Sequence, residues 1–158
     1  MPYCVPLPVQ QILAKIAIIS PNAACAQPQE LELAIRNIDT TDPLLRKWRL
    51  CATILFLQRR SVAALHPVIR DAAMEMLLEF PPVPCQKYET FPLFIAGTVA
   101  TTQTQRQAVN RRWVSAPERG FEEAWLFLKM LWEEMDKRGA PIDWIHLARD
   151  KEISLAFF

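Results

Sequence analysis

An all-α fold is what this sequence predicts, and three observations predict it. Three glycines stand against thirteen prolines, which disfavours hairpin-rich β architectures, whose tight turns need residues at positive φ. Apolar residues recur at three- and four-residue spacing along most of the chain. Prolines and capping residues fall where such segments would start or stop. With 158 residues, 51% hydrophobic and 22% charged, we expect a single domain of about seven helices in a bundle or array. Residues 1–42 read as an entry segment with two short helices, and residues 43–158 as the main helical domain.

In the entry segment Pro2, Pro6 and Pro8 hold the start extended, while Pro21 and Pro28 flank a connection of small residues. Ile12, Leu13, Ile16 and Ile19 share one helical face, as do Leu31, Ala34, Ile35 and Ile38. Asp42-Pro43 then gives a clear start, because Asp at the N-cap accepts backbone N–H groups and Pro at the first position loses no hydrogen bond. The helix it opens carries Leu44, Leu45, Trp48, Cys51, Ala52, Leu55 and Phe56 on one face. Arg46, Lys47, Arg49, Arg59 and Arg60 lie on the other. His66-Pro67 should end or kink it, since the residue before a proline is pushed out of the helical region.

Pro67 reads as the first residue of the next helix, with Ile69, Ala72, Ala73, Met76, Leu77 and Phe80 inside and Asp71, Glu75 and Glu79 outside. Pro81-Pro82-Val83-Pro84 stops it. Phe91–Ala100 is apolar enough for a buried strand or a buried helix, and Ala96, Gly97 and Ala100 at near-helical spacing favour the helix. Thr102-x-x-Gln105 is a capping-box pattern. It introduces a helix with Ala108, Val109 and Trp113 inward and Arg106, Arg111 and Arg112 outward, ending near Pro117. Arg119 to Arg138 repeats Phe121, Trp125, Leu128, Leu131 (or Trp132) and Met135 at threes and fours. Glu133 and Lys137 are expected to pair across one turn, with Gly139 just past the end. Pro141-Ile142-Asp143 opens a short helix with Trp144, Ile145, Leu147 and Ala148, and the tail Ile153–Phe158 should dock on the body.

Composition excludes several function classes. Lys+Arg 18 against Asp+Glu 17 leaves a net charge of +1, so no overall field favours nucleic acid or membrane. The longest uncharged stretch, Thr90–Gln105, falls short of the roughly 20 apolar residues that a membrane-spanning helix requires. Cys4, Cys25, Cys51 and Cys85 lie 21, 26 and 34 apart with no C-x-x-C or C-x-x-H, so a zinc site built on close ligand pairs is absent and reduced, buried thiols are expected. Ile12–Ser20 followed by Ala24-Cys25-Ala26 and Gln27 imitates a secretion signal with a small-residue cleavage site. The first eleven residues hold no Lys or Arg, however, and Lys15 interrupts the apolar run, which makes secretion the disfavoured reading.

Catalytic motifs are missing. His66 and His146 sit in no H-E-x-x-H, no serine in G-x-S-x-G, and Gly97, Gly120 and Gly139 are too scattered for a phosphate-binding turn. Glu122-Glu123 and Glu133-Glu134 are adjacent on a helix, so their side chains diverge by about 100° and do not form an acid–base pair. No cofactor or metal site is expected. Charge is locally segregated: residues 43–70 hold six bases and no acid, whereas residues 118–136 hold six acids and two bases. These faces either complement one another within the fold or meet a partner. Five tryptophans mostly suit core positions. Trp125 and Trp132, seven apart and flanked by Glu122 and Lys129, share one side. A partner surface is therefore placed on Trp125 and Trp132, with Arg46, Arg49, Arg59 and Arg60 as its basic counterpart.

From roughly Leu44 to Phe158, about 70% of the chain, the order of features resembles the helical fungal-specific transcription factor domain found behind the binuclear zinc cluster of fungal regulators. The likeness rests on the basic helix Trp48–Arg60, the helix before Pro81, and Phe91-Pro92-Leu93-Phe94-Ile95-Ala96-Gly97. After these come Arg111-Arg112-Trp113, a helix with Leu128, Leu131 and Trp132 ahead of Asp136, then Asp143-Trp144 and the finish Phe157-Phe158. The resemblance implies an all-α regulatory module in the nucleus that works through protein partners or self-association. It also implies structural roles for Phe94, Gly97 and Trp113, and no catalysis. The six-cysteine DNA reader of that family has no counterpart beyond Cys4 and Cys25, so direct DNA binding by this sequence is not expected and the regulatory half alone is. The competing expectation is a small helical enzyme or ligand-binding protein of a fungal secondary-metabolite pathway, using a pocket between helices. An apolar pocket holding His66 or His146 beside a carboxylate would distinguish it.

Overall fold

The structure, a computed structural model, describes residues 7–17, 27–60, 66–81, 83–85, 89–113 and 119–155. The Ala24-Cys25-Ala26 stretch, Cys4 and Phe157-Phe158 lie outside the described residues. Eight helices and no strand occur among the described residues, where about seven helices were expected: α1 Leu7–Ala17, α2 Gln27–Arg36, α3 Pro43–Arg59, α4 Pro67–Glu79, α5 Thr90–Thr98, α6 Gln103–Arg112, α7 Arg119–Arg138 and α8 Trp144–Asp150. The fold is an all-α array.

Local signals account for most of the helix ends. Asp42 caps α3 by accepting from Leu44 N at 2.9 Å, with Pro43 in the first turn. Asp143 caps α8 by accepting from Ile145 N at 2.9 Å. At α6 both halves of the capping box are formed: Thr102 Oγ1 accepts from Gln105 N at 3.2 Å, and Gln105 Oε1 accepts from Thr102 N at 3.1 Å. Thr102→Ala should therefore lower the unfolding free energy by about 1 kcal/mol, and Thr102→Ser by much less, as read from urea midpoints. After α7, Gly139 takes φ +64°, and Ala140 N donates back to Met135 O at 3.3 Å, a helix stop that favours a residue without Cβ.

Two sequence expectations fail at the boundaries. Pro8 lies inside the first turn of α1 instead of holding the chain extended, because a proline there costs no helical hydrogen bond. The third helix stops well before Pro67. Arg60 caps α3, its N–H reaching Phe56 O and Leu57 O, and His66 belongs to α4 instead, where its Nδ1 accepts from Val68 N at 3.3 Å.

The central element is α5. Every residue from Thr90 to Thr98 is buried, and α3, α4, α6 and α7 all pack on it. Phe94, fully buried, stacks with Phe91 at 6.4 Å, tilts against Phe127 of α7 at 6.1 Å and meets Trp144 of α8 edge-on at 5.2 Å. Gly97 is where α7 comes closest, since a Cβ there would stand 2.8 Å from a methyl of Leu128. The Gly97 carbonyl accepts from Trp132 Nε1 at 2.9 Å. Both entry helices share this core: Val9, Ile12, Leu13 and Ile16 of α1 and Leu31 and Ile35 of α2 are buried in it.

Several charged groups expected on the surface are drawn inward. Lys47 is 8% exposed and bonds the carboxylate of Glu89, 9% exposed, with its ammonium 4.7 Å from the Phe80 ring. With α1, α2, α4 and α5 all packed on α3, the helix lacks a free solvent face at that point, so the cation takes a buried partner. Arg112 likewise turns inward, donating to Phe80 O at 3.2 Å and Ala108 O at 2.8 Å. Lys137 pairs with Glu134 at 3.2 Å, not with the expected Glu133; both spacings are within reach on a helix. Arg46 and Lys47 find their carboxylates on α4 and at the head of α5, not on the acidic helix α7.

Candidate interaction surface

The six residues singled out by sequence fall in three places. Arg46 and Arg49 stand at the start of α3 and line a cleft against α4. Arg59 and Arg60 stand thirteen residues further on, about 20 Å along the helix at 1.5 Å per residue. Trp125 and Trp132 lie on α7.

The cleft between α3 and α4 has a volume of about 520 Å³. Arg46 closes one end of it: its Nη1 donates to Glu79 Oε1 at 2.9 Å, and its Nε and Nη2 both donate to Thr40 O. This pairing, head of α3 to tail of α4, shows the two helices running antiparallel. Arg49 faces Asp71 and Glu75 across the cleft without an ion pair. Arg60 is exposed, its guanidinium lying over the Phe56 ring at 5.6 Å.

Trp125 and Trp132 are brought together as their spacing implies. Their rings meet edge-to-face at 5.8 Å, and Trp113, at the carboxyl end of α6, joins Trp125 at 5.1 Å. Trp132 is 9% exposed, and its Nε1–H is spent on the Gly97 carbonyl. Trp125 is half-buried and keeps an open side. Together the two indoles floor a groove of about 320 Å³ between α6 and α7.

Sequence reasoning missed the groove's other wall. Gln103, Gln107 and Asn110 line it from α6 with uncharged amides. Arg106, expected to point outward, folds over the Trp132 ring at 5.7 Å and grips Asp136 with two 2.8 Å bonds from Nη1. Lys129 caps Trp125 at 5.2 Å; of the flanking residues named from sequence, Lys129 lines the groove and Glu122 does not. Cations laid on indole faces are attracted by the ring quadrupole, so the floor is held flat between two charged clamps. No sequence signal joins Arg106 to Asp136, which lie thirty residues apart on different helices.

Groups with reactive potential lie elsewhere. His146 Nδ1 is 3.5 Å from Asp143 Oδ2, within one turn of α8 on the exposed surface. Neither it nor His66 lines the two clefts. Cys51 and Cys85 are free and buried. Burial pushes the Cys85 thiol up to about 11 and that of Cys51 well above its ordinary range, so both stay protonated and unreactive at neutral pH. Among the described residues no group of three or more His, Cys, Asp or Glu is placed to hold a metal ion, and no helix is long and apolar enough to cross a membrane.

Compared with known proteins, residues 9–158 match a family model described as the fungal specific transcription factor domain. No curated protein and no solved structure matches the chain.

Proposed function

The chain belongs to the fungal specific transcription factor domain family, and on that premise we propose that it is a regulatory module that acts in the nucleus through protein contacts made at the Trp125 groove. The family supports a transcription-regulator-like role and speaks against catalysis. The protein-contact mode rests on one observation: an indole at Trp125 that is left half-open in the groove while its own position is braced by contacts with Trp132, Trp113 and Lys129. Braced aromatic anchors with little rotamer entropy left to lose are the side chains that dominate protein interfaces.

The test joins the chain to a heterologous DNA-binding module in a fungal cell and reads a reporter gene. Reporter output should change, in either direction, relative to the module alone. Trp125→Ala should return it toward the baseline, since an anchor worth about 2 kcal/mol weakens its partner roughly thirtyfold. Circular dichroism checks that the variant stays folded. A fusion that leaves the reporter untouched, or a reporter effect indifferent to Trp125→Ala, would count against the reading.

A further inference from the structure

Three amides stand in a row along the α6 wall of the Trp125 groove. Gln103, Gln107 and Asn110 are four and three residues apart, hence on one side of the helix. All three are exposed, and none of their side chains is hydrogen-bonded among the described residues. Trp125 keeps its open side toward the same groove, whereas Trp132 is covered by Arg106, whose Nη1 is committed to Asp136. Lys129 lies back over the Trp125 ring instead of pairing with Glu133 one turn further on. Glu133 therefore lines the groove exposed and without an ion pair among the described residues.

This arrangement discriminates among the ways a peptide can be held. Strand addition needs a free sheet edge, and the described residues contain no strand. An amphipathic helix would press its apolar face on the amide row and strip unpaired amides of water, which costs free energy at each one. A polyproline II segment does the reverse. Its backbone carbonyls have no internal hydrogen bonds, so amide N–H groups can donate to them, and its proline rings suit an indole with one open side. The spacing agrees. Gln103 to Asn110 is about 10.5 Å along α6, and one three-residue turn of polyproline II advances about 9.3 Å. A basic residue beside the proline core then meets Glu133.

We propose that the Trp125 groove binds a proline-rich P-x-x-P segment of another protein, held as a polyproline II helix with a basic residue at its flank. This inference rests on the protein contact proposed above and names the chemistry of its partner. A proline ring stacks on Trp125, the amides of α6 donate to the backbone carbonyls of the segment, and Glu133 takes the basic flank.

Fluorescein-labelled peptides with a P-x-x-P core and an arginine before or after it are titrated into the full chain and followed by anisotropy. Matched peptides have both prolines replaced by alanine. The proline peptides should bind saturably and the alanine peptides about tenfold more weakly, because only the former are preorganised. Trp125→Ala should weaken the proline peptides about thirtyfold, and Gln107→Ala, a change at an exposed position, about fivefold. Glu133→Gln should cost about threefold for peptides with the arginine and nothing for those without it. Circular dichroism checks that each variant keeps the parent fold. Proline peptides that bind no better than their alanine counterparts, or binding indifferent to both Trp125→Ala and Gln107→Ala, overturn the proposal. So does tighter binding of a helical apolar peptide, or self-association that Trp125→Ala abolishes, since either gives the groove to another occupant. If the proline peptides fail while the reporter effect still depends on Trp125, the protein contact stands and only this partner class falls; if both fail, both readings fall.

Discussion

Phe94→Ala should lower the unfolding free energy by about 3–5 kcal/mol, the range for truncating a fully buried phenylalanine. The expectation follows from where the ring sits. Phe94 is 0% exposed at the middle of a helix buried on every side, and it stacks on Phe91 of its own helix and ties α5 to α7 and α8 through Phe127 and Trp144. Truncation removes the transfer term and leaves a cavity that rigid neighbours cannot fill, and each lost aromatic pair adds about 0.5–1.5 kcal/mol. Against a typical stability of about 5–15 kcal/mol, such a loss consumes roughly a fifth or more of the total. Urea unfolding followed by tryptophan fluorescence should show the midpoint falling with an unchanged slope. Phe94→Leu, which keeps most of the volume, should cost less than half as much. A loss below about 1 kcal/mol for the alanine variant would mean that α5 is not the centre of the core.

Lys47→Met is expected to be nearly as damaging, at about 3–5 kcal/mol, because it strands the Glu89 carboxylate in the interior. The cation is not merely a surface charge that has lost solvent. Its ammonium is bonded to Glu89 and set over the Phe80 ring, and Glu89 in turn precedes α5 without making a side-chain cap bond. Glu89→Leu should be harmful by the complementary route, leaving a buried ammonium short of its counter-charge. The decisive observation is the double variant. Lys47→Met with Glu89→Leu removes both charges and should recover most of the loss, because replacing a buried ion pair by apolar groups is often close to neutral. Simple additivity of the two single losses would show that the pair is not coupled.

Much of this architecture was legible in the residues, and the reason is locality. The bounds of α7, Arg119–Arg138, and the stop at Gly139 follow from a three-and-four repeat and a single left-handed residue, both readable within one segment. The capping box at Thr102 and the proline start of α4 are likewise complete within a few residues. Trp125 and Trp132 could be placed on one side from their spacing alone. What stayed hidden depends on partners far along the chain. Lys47 is buried because Glu89, forty-two residues away, receives it. Arg106 covers Trp132 because Asp136 holds it from another helix. Gln58 is buried beside α8 because the Trp144 indole, eighty-six residues away, donates to it. Four arginines and two tryptophans that formed one expected surface in sequence thus occupy three locations, since periodicity fixes a residue's azimuth on its helix but not which helix arrives opposite.

The seclusion of α5 carries a consequence for how the molecule loosens. A helix with one wet side can fray or detach while its neighbours hold, but α5 has no such side. Amide hydrogens along Thr90–Thr98 can reach solvent only when the surrounding helices separate together, so the rarest opening event of the whole chain governs their exchange. Any partner or ligand that strains the packing of α3 or α7 would be felt at once through this shared axle.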